Sequence, residues 1–326
     1  MRDYPALSLD DVCDRLAAAE RPVLLSHVRP DGDAIGSAAA LGLLFARMGK
    51  RAAWRCADPL PRRLAFLFDG VPLATPEENA GGTVIALDVA SPGQLGTLAE
   101  AYGETGVALM IDHHSMGEPF APHYIQPHAS ATGEVLTLIA ERCYARGILK
   151  GDFDPAAAGA LYAAISSDTG CFKYGNVTPT THRIAATLLS SGIAADEINR
   201  RLYDCRSPGQ LAAEKIALAN LTTRQNGKVA AVLLSLADRG DLPDEDFETA
   251  IDIPRSLAGV EIALAIREIP GGKCKVSLRS TGADVSAVAQ SFGGGGHRRA
   301  AGCTVNGTPE DALSVLMPSL LGVLGK

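Results

Sequence analysis

Three short apolar runs in the first half of the chain end alike. Pro22-Val23-Leu24-Leu25-Ser26, Thr83-Val84-Ile85-Ala86-Leu87 and Val107-Ala108-Leu109-Met110-Ile111 read as strands, apolar almost throughout. That composition belongs to strands covered on both faces of a parallel sheet. Each run is closed by acids or imidazoles: His27 with Asp31 and Asp33, then Asp88, then Asp112-His113-His114. Parallel strands bring their carboxyl ends to one edge, where the departing loops frame the ligand crevice of an open α/β sheet. A single capping aspartate is ordinary. Three strand ends that all carry acids or imidazoles point to a sheet built around one polar site.

The first of these loops is the densest. Pro30 and Gly32 break it, and the glycine lets Asp31 and Asp33 turn toward the same place before an alanine-rich helix, Ala34 to Met48. Read alone, Asp31-Gly32-Asp33 is a turn with a helix N-cap at Asp33. Read with the other strand ends, its oxygens and imidazole suit a hard divalent cation, and the absence of a neighbouring cysteine in sequence argues against a thiolate zinc site. A further acid, Asp168, follows the helical stretch Ala156 to Ser167 and precedes Gly170. A carboxylate at a helix C-terminus meets the negative end of the dipole, which a nearby cation would relieve.

The 326 residues favour two domains. A net charge of −7 and a pI near 5.5 exclude a broad basic nucleic-acid surface, so any nucleic acid bound must be short or held in a local basic pocket. The hydrophobic content of 47% is inflated by alanine, with no run near the roughly 20 apolar residues of a membrane span. Met1-Arg2-Asp3-Tyr4-Pro5 offers no apolar signal region, so the expected compartment is the cytoplasm. The seven cysteines are scattered and unpaired in spacing, as for reduced packing residues. Residues 192–224 read as a helical linker interrupted by Ser207-Pro208-Gly209. Beyond it the pattern changes to strands near 228–234, 260–268 and 273–279, a short helix from Asp284, the run Gly293-Gly294-Gly295-Gly296-His297-Arg298, and a last helix from Thr308-Pro309.

Taken in order, His27-x3-Asp31-Gly32-Asp33, Asp88, Asp112-His113-His114, Asp168-Thr169-Gly170 and Gly293–Gly296-His297 resemble the motifs of the DHH/DHHA1 phosphoesterases. The similarity runs from about residue 20 to 306 and is greatest to the bacterial nanoRNase type, which are bifunctional oligoribonucleases and 3′-phosphoadenosine 5′-phosphate phosphatases. The resemblance implies an α/β protein: an N-terminal DHH domain (1–191) with a parallel sheet flanked by helices, the helical linker (192–224), and a smaller α/β DHHA1 domain (225–326), with the active site in the cleft between domains. It also implies two divalent cations, manganese ahead of magnesium. One would be held by His27, Asp31 and Asp88, the other by Asp33, Asp88, His113 and Asp168, with Asp88 bridging. His114 would contact the scissile phosphate or protonate the leaving oxygen, and Asp112 would support the histidines. Arg279, Gly294, Gly295, Gly296, His297 and Arg298 would grip the nucleotide.

Two positions depart from the family pattern: Arg298 stands where relatives commonly have proline, and Gln94 where many carry an arginine. The expected substrates are short RNA oligonucleotides or small nucleotides, with no long nucleic acid and no membrane partner, and a homodimer is the family's further implication. Other readings are a linear or cyclic dinucleotide phosphodiesterase, a RecJ-like single-strand exonuclease, an inorganic pyrophosphatase and, from a different class, a non-catalytic nucleotide-binding regulator. The chain lacks the additional nucleic-acid-binding domains of the exonuclease. A pyrophosphatase has little use for a glycine-rich grip, and a degenerate regulator would not keep competent residues at every ligand position.

Overall fold

The apolar runs assemble as a parallel sheet. In the computed structural model, which describes residues 4–102 and 106–324, β1 (Val23–Leu25), β2 (Ala53–Arg55), β3 (Val84–Leu87), β4 (Leu109–Asp112) and β5 (His123–Ile125) pair in the order β2-β1-β3-β4-β5, all parallel. The side chains alternate between two cores. Leu24, Ile85, Leu87, Leu109 and Ile111 face the helices Leu9–Ala18, Gly32–Arg47, Thr132–Ala145 and Pro155–Asp168, while Val23, Leu25, Val84, Ala86 and Met110 face Leu95 and Phe120. Burial on both faces explains why these strands lack polar alternation.

The helix Gly32–Arg47 packs on Pro155–Asp168 through small residues. A Cβ at Gly36 would lie 2.7 Å from the Ala160 carbonyl oxygen and 3.0 Å from the Ala164 Cβ, so glycine is what allows the two backbones to approach. That contact brings the end of one helix, Asp168, beside the start of the other, at the carboxyl edge of the sheet.

Contact between residues divides the chain into Met1–Cys205 and Arg206–Lys326. The second unit has its own mixed sheet of β6 (Leu221–Arg224), β7 (Val229–Leu234), β8 (Ile262–Ile269), β9 (Lys273–Ser280), β10 (Gly295–His297) and β11 (Ala300–Asn306), ordered β10-β11-β9-β8-β7-β6. Only β7 and β8 run parallel among these pairs. Along β8 the large residues Ile262, Leu264 and Ile266 face the helices Val285–Ser291 and Pro309–Val323. Ala263 and Ala265 face the other way, toward the helix Pro208–Ala219 and Phe247.

Some elements differ from the sequence reading. Within residues 192–224 the helix Pro208–Ala219 packs against the second sheet and Leu221–Arg224 is strand β6, because its half-polar Leu-Thr-Thr-Arg sequence gives little periodic signal. β5 is a three-residue, half-buried strand with no apolar run to mark it. The first-motif helix begins at Gly32 and its N-cap is Asp31, not Asp33: the Asp31 carboxylate accepts the N–H groups of Asp33 and Ala34. Met1 to Asp3 of the N-terminal stretch lie outside the described residues.

Gly36→Val should overpack the helix pair and cost about 1–3 kcal/mol, read as a lower Tm in differential scanning calorimetry. An unchanged Tm would contradict this close-packed contact.

Candidate metal centre

The acids and imidazoles of the sequence motifs arrive from several elements at one edge. His27 follows β1, Asp31 caps the helix after it and Asp33 lies in that helix's first turn. Asp88 follows β3, Asp112 ends β4 with His113 and His114 behind it, and Asp168 ends the helix Pro155–Asp168. Asp33, Asp88 and Asp112 are buried, with relative exposures of 1%, 2% and 1%. Asp88 adopts a left-handed backbone, φ 59°, a conformation that aspartate tolerates better than most side chains. Its carboxylate stands between the two flanks. Oδ2 lies 3.4 Å from His27 Nε2, and Oδ1 lies 3.7 Å from His113 Nε2 and 3.6 Å from His114 Nδ1. His27 Nε2 is also 3.8 Å from Asp31 Oδ1, while His113 Nε2 is 3.5 Å from Asp168 Oδ2 and 3.9 Å from Asp33 Oδ2.

The imidazoles are oriented for ligation. His27 Nδ1 is 2.8 Å from the Val28 carbonyl oxygen and His113 Nδ1 is 3.2 Å from that of Ala129, contacts in which the ring N–H donates. Donation from Nδ1 leaves the Nε2 lone pair on the carboxylate side, the arrangement that fixes a metal-binding tautomer. His114 differs. Its Nδ1 donates to Asp112 Oδ1 at 2.7 Å, and the same oxygen accepts the His113 N–H at 2.8 Å. Asp112 therefore sets the His114 ring and the backbone of His113 together.

Concentrated charge shifts the titrations. Burial pulls the His27 imidazole down, but hydrogen bonds and charge from Asp31 and Asp88 outweigh it and push the pKa up to about 12. For His113, burial is likewise outweighed by Asp33, Asp88 and Asp168, and the pKa rises to about 9. Burial, with Asp31 and Asp88 nearby, pushes Asp168 up to about 7 against the opposing histidines. Burial and the charge of Asp88 hold Asp33 well above the usual carboxylate range. Burial opposes ionisation of Asp88 too, yet His27, His113 and His114 hold it below that range. The protein gathers more negative charge here than its own imidazoles match, a surplus that protons or cations must balance.

Among the described residues, potential ligand atoms lie within 4.8 Å of one another in three groups: His27, Asp31 and Asp88; Asp33, His113 and Asp168; Asp88, His113 and His114. Oxygen donors with neutral imidazole nitrogens and no thiolate fit divalent manganese or magnesium. The structure brings one cysteine nearer than the sequence suggests. Cys56 Sγ donates to the His27 carbonyl oxygen at 3.1 Å, and burial raises its pKa, so it stays a thiol that braces the loop.

Residues 22–165 match the DHH family N-terminal domain and residues 226–317 the DHHA1 domain. The bifunctional oligoribonuclease and PAP phosphatase NrnA of Thermus thermophilus is 33% identical over 307 residues, 92% of this chain and 89% of that protein. The chain belongs to the DHH/DHHA1 family. The NrnA of Bacillus subtilis is 26% identical to this DHH/DHHA1 protein over 288 residues, 87% of this chain and 88% of that one. A solved structure of an exopolyphosphatase-related protein from Bacteroides fragilis superposes with a TM-score of 0.86 at 26% identity, covering 96% of this chain and 95% of that one.

The remaining candidates of this DHH/DHHA1 protein lie in its second unit. Arg279 is the penultimate residue of β9, and its Nη1 donates to the Leu278 carbonyl oxygen at 2.9 Å. Gly294, Gly295 and Gly296 lead into and form the β10–β11 hairpin, with Arg298 at its turn; the side chain of His297 lies outside the described residues. A Cβ at Gly294 would lie 2.2 Å from the Gly302 carbonyl oxygen, and one at Gly296 2.5 Å from that of Ala300, so packing on β11 itself demands these two glycines. Gly295 is open: a Cβ there would meet nothing within 4 Å.

Gln94 is a clamp. Its side-chain Oε1 accepts the Ala90 N–H at 2.6 Å and its carbonyl accepts the Val28 N–H at 2.7 Å, which ties the loop of Asp88 to the loop of His27. Nothing in its local sequence signals that role. Arg29, at φ 54°, donates its backbone N–H to Asp58, and His182 stacks on Phe172, so these residues read as loop and packing features.

With the His27 and His113 imidazoles and the Asp33 and Asp168 carboxyls all shifted upward, uptake of manganese at pH 7 should release about two or more protons per chain. Titration calorimetry in buffers of different ionisation enthalpy measures that number. An apparent enthalpy independent of buffer would contradict the assignment.

Proposed function

We propose that the chain is a cytoplasmic, metal-dependent phosphoesterase. It hydrolyses short oligoribonucleotides to mononucleotides and converts 3′-phosphoadenosine 5′-phosphate to AMP. The observation that carries this reading is the placement of Asp88, whose two carboxylate oxygens face separate groups of oxygen and imidazole donors. His27, Asp31 and Asp88 would hold one cation, manganese ahead of magnesium. Asp33, Asp88, His113 and Asp168 would hold the other. When bound, such a pair neutralises phosphate charge and lowers the pKa of water enough to supply a nucleophile near neutral pH.

The chain's own residues do the rest. His114 is held by Asp112 through Nδ1, which turns Nε2 to the opposite side of the ring. Burial lowers its pKa, but the hydrogen bond and charge of Asp112 reverse the shift and favour the imidazolium, which carries a second proton on Nε2. It serves as the general acid: as water adds to phosphorus and the bond to the leaving ribose oxygen breaks, the Nε2 proton passes to that oxygen. In the second unit Arg279, Gly294–Gly296, His297 and Arg298 are assigned to the nucleotide; the open side of Gly295 supports a close approach of ligand to backbone there. The named activities of the Thermus and Bacillus relatives support the substrate class. A net charge of −7 supports short substrates, since a long strand favours an extended basic groove.

The test offers the manganese-loaded protein a series of two- to five-nucleotide RNAs, 3′-phosphoadenosine 5′-phosphate, a long single-stranded DNA and pyrophosphate, with products resolved by chromatography. Short RNAs should become mononucleotides and the bisphosphate AMP, with DNA and pyrophosphate spared; hydrolysis of pyrophosphate alone would overturn the reading. In parallel, His114→Ala should lower kcat by about 100- to 10,000-fold while manganese uptake stays as in the parent. A full kcat would remove His114 from the role of acid.

A further inference from the structure

Asp33 lies in the first turn of the helix Gly32–Arg47 and Asp88 in the loop after β3, so the two come from different elements. Both are gripped by the first residues of the helix Thr132–Ala145. The Thr132 N–H donates to Asp33 Oδ2 at 2.7 Å, and the Gly133 N–H and the Ser37 hydroxyl donate to Asp33 Oδ1 at 2.9 Å and 3.1 Å. The Thr132 hydroxyl donates to Asp88 Oδ1 at 3.1 Å. Thr132 is fully buried, so its hydroxyl has no water to turn to.

A carboxylate free to rotate about its last torsion could present both oxygens to one cation. With Oδ1 tied to Thr132 on the flank of His113, Oδ2 must point to His27, and the group is set as a bridge before any cation arrives. One hydrogen bond uses one of the lone pairs of Oδ1 and leaves another for ligation.

We propose that Thr132 is a positioning residue for the two-cation centre. Its hydroxyl fixes the rotation of the bridging Asp88, while its backbone N–H separately fixes Asp33. The inference rests on the reading of Asp88 as a bridging ligand and assigns its preorganisation to a residue outside the ligand set. Removing a hydroxyl that orients a ligand commonly costs metal affinity about 10- to 100-fold. The loss should fall on one binding step, because the Thr132 side chain holds Asp88 by Oδ1, on the flank of His113, while Oδ2 faces His27.

The test is manganese titration of the parent, Thr132→Val, Thr132→Ala and Thr132→Ser proteins, followed by calorimetry and by the electron paramagnetic resonance spectrum of the loaded forms. All four retain the backbone N–H on Asp33, so only the arm to Asp88 changes. The valine and alanine proteins should bind one cation like the parent and the second about 10- to 100-fold more weakly, and should lose the spin-coupled spectrum of a bridged pair at manganese concentrations that saturate the parent. Serine should restore both. Alanine carries the comparison if the valine variant does not fold. Parent-like titrations for alanine or valine, or serine as weak as alanine, would overturn the proposal. A parent protein that binds no manganese would instead overturn the metal reading beneath it.

Discussion

Electrostatic repulsion at the carboxyl edge of the first sheet is the constraint on which the rest of this unit depends. Asp33, Asp88 and Asp112 are withdrawn from water, and Asp31 and Asp168 stand against them. Burying even one ionised carboxylate is costly unless it is paired. Three imidazoles, two helix starts and the Thr132 hydroxyl share the load in the protein itself, yet Asp33 and Asp168 remain shifted upward. A centre so arranged gives up stability when metal-free in order to be ready for cations.

The scaffold answers that constraint in its small residues. Gly36 and Ala160 let two helices approach until the end of one and the start of the other meet, and Gln94 ties together the loops of His27 and Asp88 that follow the paired strands β1 and β3. Asp112 does comparable work on the far side, holding the His114 ring and the His113 backbone with one oxygen. The candidate ligands are thus placed by contacts that are themselves buried and hydrogen-bonded, which is how a site acquires fixed geometry.

Much of this was legible in the sequence, for a definite reason. A parallel strand buried on both faces shows as an apolar run, and the residue that ends the run has nowhere to go but the edge; Asp88 and Asp112-His113-His114 could be placed on that basis. Asp168 was legible as an acid at an unfavourable helix end. What stayed hidden depends on contacts between residues remote in sequence. Asp33 looks like the cap of its own helix, whereas Asp31 does that work and Asp33 caps a helix that starts 99 residues later. Cys56 reaches the His27 carbonyl from the next strand over, and Thr132 carries no local mark of its two acidic partners. In the second unit the glycines from Gly293 to Gly296 suggested a ligand grip, but two of them are required by the packing of their own hairpin, a demand that no motif separates from binding.

The most direct measurement of the central claim is an anomalous difference map from crystals of the protein grown with manganese. Two peaks are expected, one beside His27, Asp31 and Asp88 Oδ2, the other beside Asp33, His113, Asp168 and Asp88 Oδ1. A single peak, or peaks that leave Asp88 outside the ligand shell, would contradict a bridged two-cation centre.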